Sequence, residues 1–234
     1  GGQERETLDK IGKSYAITRE RVRQIESVAI KKLARISMDP SMRLIHELAH
    51  SILVEHGKVM SEDLLVSGML KELNNPQEID VNAVKLAMRV SDKLVKQDKN
   101  QFFRPFWRTE DVSLGDVKAL IKKIKATLQK NKDVMSLDAL YGQISEVPAT
   151  RVASALEIDW GFLETENGWG LKAWRFINPR SIKDKILVTL RETEKPLHFK
   201  DIIHQVLNGF QAKKPVTPQA IHNELIRHDE FVLV

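Results

Sequence analysis

The sequence predicts a mainly α-helical chain that opens with a helix-turn-helix and continues as three units of helix, helix, helix and hairpin. Three observations predict it. Residues 7–36 hold two helical patterns broken by a turn. The fragment GKVMSEDLL from Gly57 returns as KDVMSLDAL from Lys132 and as EKPLHFKDII from Glu194, aligning Asp63, Asp138 and Asp201. A recurrence of roughly seventy residues marks an internal repeat. Hydrophobic residues at 42% and charged residues at 29% are ordinary for a globular chain.

The first helix is expected over Leu8–Ser14, with Thr7 as its cap, Leu8 and Ile11 facing inward, and Gly12 leaving room for a crossing helix. Tyr15–Ile17 break the pattern, and Thr18 precedes a long run of helix formers whose free amides its hydroxyl can accept. In this second helix Val22, Ile25, Ala29 and Leu33 recur at three- and four-residue spacing and predict a buried stripe. Arg19, Glu20, Arg23, Gln24 and Ser27 form the opposite face. In a major groove, arginine forks onto guanine, glutamine onto adenine, and glutamate accepts from cytosine. Arg21, Lys31, Lys32 and Arg35 suit phosphate oxygens, as does the Thr18 hydroxyl.

LDKIGKSYAITRERVRQIESVAIKKL resembles the region 4 helix-turn-helix of the primary sigma factor family, with TRERVRQIE its most specific part. The resemblance implies that this helix reads a promoter −35 element: Arg19, Glu20, Arg23 and Gln24 at the bases, and Thr18, Arg21, Lys31 and Lys32 at the backbone. It also implies RNA polymerase as a partner beside double-stranded DNA. The family has further helix before this point, so the expected domain, residues 1–37, is truncated at its N-terminus.

Charge follows the same division. Residues 1–37 hold nine Lys and Arg against five Asp and Glu, a net of +4, out of +5 for the chain. Residues 38–112 hold ten against twelve, 113–178 nine against eight, and 179–234 nine against seven. These later stretches lack the large basic excess that phosphate contacts favour.

They are expected as three modules. In the first, 38–112, helices are predicted over 41–56 and 81–93, with a loose wing over 94–103. In the second, 113–178, helices are predicted over 114–130 and 150–156. A hairpin over 160–176 is expected to turn at Asn167-Gly168, a type I′ signal. In the third, 179–234, helices are predicted over 182–193 and 218–227, and the wing is incomplete. This is the winged-helix order. KPLHFKDIIHQVL followed by VTPQAIHNELIRHDEFVLV resembles the HARE winged-helix family, also seen in the RNA polymerase delta subunit. That resemblance implies a nucleic-acid context without fixing a ligand. Trp107, Trp160, Trp169 and Trp174 are read as wing packing.

His46-Glu47-Leu48-Ala49-His50 matches H-E-x-x-H, the zinc-protease spacing. The repeat argues against it, because Ile121 and Lys125, then Asp184 and Val188, hold the places of His46 and His50. The remaining histidines show no ligand spacing. No Gly-rich phosphate loop, cysteine nucleophile or singled-out catalytic set is present. The expectation is therefore no enzyme, no cofactor, no metal and no small-molecule substrate. Without an apolar run of membrane-spanning length or a signal peptide, the expected location is cytoplasmic.

Overall fold

The computed structural model describes residues 6–36, 40–72, 81–193, 195–210 and 216–232. It is mainly helical with small antiparallel sheets. The chain forms two compact units, residues 1–121 with 144–159, and residues 122–143 with 160–234.

The first unit begins with α1 (Leu8–Ser14) and α2 (Arg19–Ile36). Thr7 caps α1 by accepting from the Lys10 amide at 3.2 Å, and Thr18 caps α2 by accepting from the Arg21 amide at 3.2 Å. Gly12 is buried where the chain turns back, and a Cβ there would lie 2.7 Å from the Ile17 carbonyl oxygen. No larger residue permits that approach.

Next come α3 (Pro40–Glu55), β1 (Val59–Ser61), α4 (Glu62–Glu72), α5 (Val81–Arg89), β2 (Leu94–Gln97) and β3 (Phe106–Thr109). β3 pairs antiparallel with both β1 and β2, placing Met60 and Lys96 opposite Trp107. Ala49, Leu53, Leu65, Met69, Val84 and Met88 form one core with the fully buried Trp107. The Trp107 indole N–H donates to Glu62 at 3.3 Å. Glu62 is itself buried, and Lys85 and Lys96 bond its two oxygens at 3.1 and 2.5 Å. Burial alone would push this carboxyl up, but the two ammonium groups outweigh it and hold it below the usual carboxylate range.

After α6 (Leu114–Asn131) and α7 (Leu137–Gln143), the chain returns to the first unit as α8 (Ala149–Ile158), which packs on β1. Val152, Ser154, Ala155, Leu156 and Ile158 are buried, and Thr150 alone in α8 is exposed. Arg151 Nε donates to the Gly57 carbonyl at 2.5 Å, and Arg104 donates from its amide to Ile158 and from its guanidinium to Glu157, both at 2.8 Å. Gly57 has φ +77°, and a Cβ there would lie 2.6 Å from the Arg151 amide nitrogen.

The second unit contains β4 (Phe162–Thr165), β5 (Gly168–Leu171), α9 (Ile182–Thr193), α10 (Phe199–Gly209) and α11 (Pro218–Arg227). Met135 and Trp169 exchange both backbone hydrogen bonds, at 2.9 and 2.8 Å. This repeats the Met60–Trp107 pairing 75 and 62 residues further along. Ile186, Ile202, Val206 and Ile221 make the core of the last three helices.

Several local expectations are corrected. The predicted stripe on α2 is buried only at Val22; Ile25 is 49% exposed, Ala29 is exposed and Leu33 half-buried. The reason is length: the seven-residue α1 is the main element against α2 and covers only one part of it. α5 stops at Arg89 rather than residue 93, where Val90 and Ser91 turn the chain. The first wing runs on to Thr109, beyond the expected residue 103, because Phe106 and Trp107 are core residues. Hairpin β4–β5 turns at Glu166-Asn167, one residue early, and neither residue has positive φ. Thr165 pairs with Gly168, whose φ of +128° serves a close approach to the Met135 carbonyl rather than a type I′ turn.

The H-E-x-x-H stretch lies on α3 as a wall of the first core. His46 donates from Nε2 to the Ala87 carbonyl at 2.8 Å, Glu47 pairs with Arg43 at 2.8 Å, and His56 donates from Nδ1 to Ile52 at 2.8 Å.

Candidate nucleic-acid interface

An α-helix turns once in about 3.6 residues, and α2 thereby divides into three sectors. Val22, Ile30 and Leu33 form the covered sector. Arg19, Glu20, Arg23, Gln24 and Ser27 form a second, wholly exposed and polar. Arg21, Ile25, Val28, Ala29 and Lys32 line a third, a shallow apolar surface with basic edges. The unforeseen third sector is what remains of the predicted buried stripe.

All four residues expected at the bases stand on the polar sector in the first turn and a half. Glu20 and Arg23 form a bidentate ion pair, Nε to Oε2 at 2.9 Å and Nη2 to Oε1 at 2.6 Å. The hydrogen bond to Arg23 holds the Glu20 carboxyl below its usual range, and the same bond raises the Arg23 guanidinium. Both side chains are more than half exposed, so water competes for each and the pair can open at little cost. Opened, it offers one fork donor and one carboxylate acceptor about one turn apart.

Residues expected at the backbone are spread more widely. Thr18 uses its oxygen lone pair on the Arg21 amide and keeps its O–H to donate. Arg21 bonds the Gln24 side-chain oxygen at 3.3 Å, bringing a backbone candidate against a base candidate. Lys31 and Lys32 are exposed on different sides of the helix.

Sequence reading missed the groups that bind this helix to the rest of its unit. Glu26, beside the covered sector, accepts from Arg89 of α5 at 2.8 Å, and Arg89 reaches Asp98 past the end of β2 at 3.6 Å. Glu26 and Arg89 lie 63 residues apart, and no local pattern announces them.

The other helices in third position offer less. On α5, Lys85 is committed to Glu62 and Arg89 to Glu26. On α8 the single cation, Arg151, is turned onto Gly57. The small, partly open pocket bordered by α8 and β1 is about 40 Å³, room for water rather than a ligand. No helix among the described residues is long and apolar enough to cross a membrane.

Residues 3–35 match the family model for Sigma-70, region 4. That family is a DNA-binding, non-catalytic helix-turn-helix of transcription regulators, so the match supports a transcription-related DNA-binding role for α1 and α2. No curated protein and no solved structure matches the chain.

Proposed function

We propose that the chain is a regulator of transcription initiation in the cytoplasm that reads a promoter −35-like element with α2. The observation carrying this reading is the polar sector within the matched segment, where Arg19, Glu20, Arg23 and Gln24 stand exposed together. Arg23 exchanges Glu20 for the O6 and N7 of a guanine, and the released Glu20 accepts from a cytosine N4. Gln24 and Arg19 read neighbouring bases, while Thr18, Arg21, Lys31 and Lys32 hold phosphates and fix register. The chain is divided into the reading domain, residues 1–37, and three winged-helix modules, 38–112, 113–178 and 179–234, the last of HARE type. The first two serve as architecture and as surface for RNA polymerase.

The test is binding of the full chain to a −35-like duplex and a scrambled duplex across a salt series. A base-reading chain prefers the first by roughly 1–3 kcal/mol per bidentate contact, at every salt concentration. Equal binding to both, with a steep salt slope, reduces α2 to a phosphate contact and removes the reading.

A second reading is favoured by the exposed Ile25 and Val28. In it the helix-turn-helix docks on RNA polymerase and DNA is secondary. Recovery of polymerase undiminished after Arg19 and Arg23 are both replaced, without sequence preference on DNA, selects it.

A further inference from the structure

Charge in residues 113–178 is concentrated in one place that the near-neutral total conceals. From Lys122 to Lys132, the last turns of α6 and the residue after it, there are five lysines and no carboxylate. Lys123 and Lys125 are half-buried, and Lys125 lies over the Phe162 ring at 5.3 Å. Lys122, Lys130 and Lys132 are exposed and have no ion-pair partner among the described residues. Elsewhere exposed cations are matched on their own helix: Arg23 with Glu20 on α2, Arg43 with Glu47 on α3, Arg227 with Glu224 on α11. Mixed sign is the ordinary state of a solvated helix face, and α6 departs from it.

The repeat shows that the fold does not require these lysines. In the register that aligns Met60 with Met135, Lys122, Lys130 and Lys132 take the places of Glu47, Glu55 and Gly57. Glu47 and Glu55 are exposed on α3, so equivalent helix positions carry opposite charge. Gly57 and Lys132 both have left-handed backbone, with φ of +77° and +61°. Glycine adopts that conformation freely, and a lysine does so under strain. Strain kept where the repeat elsewhere uses glycine points to a use for the side chain. The Lys132 amide donates to the Leu128 carbonyl at 2.9 Å, which fixes this lysine at the end of the helix.

A lysine is a point charge with three donors and no fork, suited to phosphate oxygens rather than to base edges. At 1.5 Å per residue, Lys122 and Lys130 stand about 12 Å apart along the axis. A duplex offers one phosphate charge per roughly 1.7 Å, so such a row faces a continuous polyanion rather than a single anion.

We infer that the end of α6 is a sequence-independent clamp on the phosphate backbone of duplex DNA, made by Lys122, Lys130 and Lys132. The inference rests on the reading that the chain binds duplex DNA, which puts phosphates at high effective concentration for a second contact on the same chain. It assigns to the first helix of the second module a contact that its third helix, α8, is too buried to make.

The experiment measures affinity of the full chain for a long duplex carrying a −35-like element, and for its scramble, across a salt series. Lys122→Gln with Lys130→Gln and Lys132→Gly is expected to lower the slope of log affinity against log salt by about 0.9 per lysine, roughly 2.7 in all, on both duplexes. Discrimination between the duplexes is kept, whereas Arg23→Ala removes discrimination, so failure of α6 and failure of α2 are read separately. Lys122→Arg with Lys130→Arg keeps the wild-type slope. Lys132→Gly alone is expected to be at least as stable as wild type in denaturant and still to bind more weakly, which separates binding from folding. A control with the same loss of charge at exposed sites, Lys172→Gln with Lys195→Gln and Lys200→Gln, keeps the slope. An unchanged slope in the α6 variant overturns the inference, as does an equal fall in the control, which would reduce the effect to net charge. Unchanged slope with lost polymerase capture also overturns it, and assigns the row to an acidic protein surface.

Discussion

α2 and α8 are helices of similar standing in the sequence, each amphipathic and each following a short helix, yet they finish in opposite environments. Among its described side chains α2 buries one aliphatic, Val22, and leaves Arg19, Arg21 and Arg23 in water. α8 buries half of its ten residues and spends its arginine on a backbone carbonyl. The difference lies in what each helix meets. α2 meets the short α1, while α8 packs on β1 and makes four hydrogen bonds, two to the His56 and Gly57 carbonyls before that strand and two from Arg104. The same order, a short helix followed by an amphipathic one, therefore leaves a polar face open in one place and makes a buried strut in another.

The comparison can be broken first at α8. Leu156→Ala is expected to cost about 2–5 kcal/mol of stability, because a 1% exposed side chain leaves a cavity its neighbours cannot fill. Denaturant unfolding measures it, and DNA preference of the folded fraction stays unchanged. A loss below about 1 kcal/mol would mean that α8 is not a strut.

Glu62→Gln tests the core that α8 joins, with an expected loss of roughly 2–4 kcal/mol as Lys85 and Lys96 lose their shared counter-charge. The pH dependence follows from the lowered carboxyl. Its contribution is fully present above the unfolded value, about 4.3, and is lost as pH falls through the lower folded value. Wild type and variant should therefore converge in stability toward acid pH. A constant gap would place the effect in packing instead.

Gly57→Ala should cost about 1–3 kcal/mol, through positive φ and the close Arg151 backbone together. A Gly57→Ala chain as stable as wild type would remove α8 from this position. Smallest is Arg89→Ala, which breaks a half-exposed pair with Glu26 and should change stability by less than about 1 kcal/mol, more at low salt than at high.

Much of this fold was legible locally. Thr7, Thr18 and Thr217 cap α1, α2 and α11 where cap residues precede helical periodicity. The repeated V-M-S fragment marks a methionine that pairs with a wing tryptophan, Met60 with Trp107 in a short strand and Met135 with Trp169 in a single bridge. What escaped was nonlocal. The period of α2 gives the direction of its apolar face but not whether anything covers it, so Ile25 was expected inside and lies outside. Nothing near Arg151 or Arg89 tells that their partners are Gly57 and Glu26. At the candidate site, residue types and spacing gave the polar sector. The Glu20–Arg23 clasp, which occupies the Arg23 guanidinium, came only with side-chain geometry.

The central claim is that α2 reads bases and α8 does not, and one crossed measurement tests it most directly. Affinities for a −35-like and a scrambled duplex are compared for wild type, Arg23→Ala and Leu156→Ala, each under conditions where it is folded. The account predicts that Arg23→Ala loses roughly 1–3 kcal/mol of discrimination with stability intact, while Leu156→Ala keeps full discrimination with stability reduced. Discrimination unchanged in Arg23→Ala would contradict it.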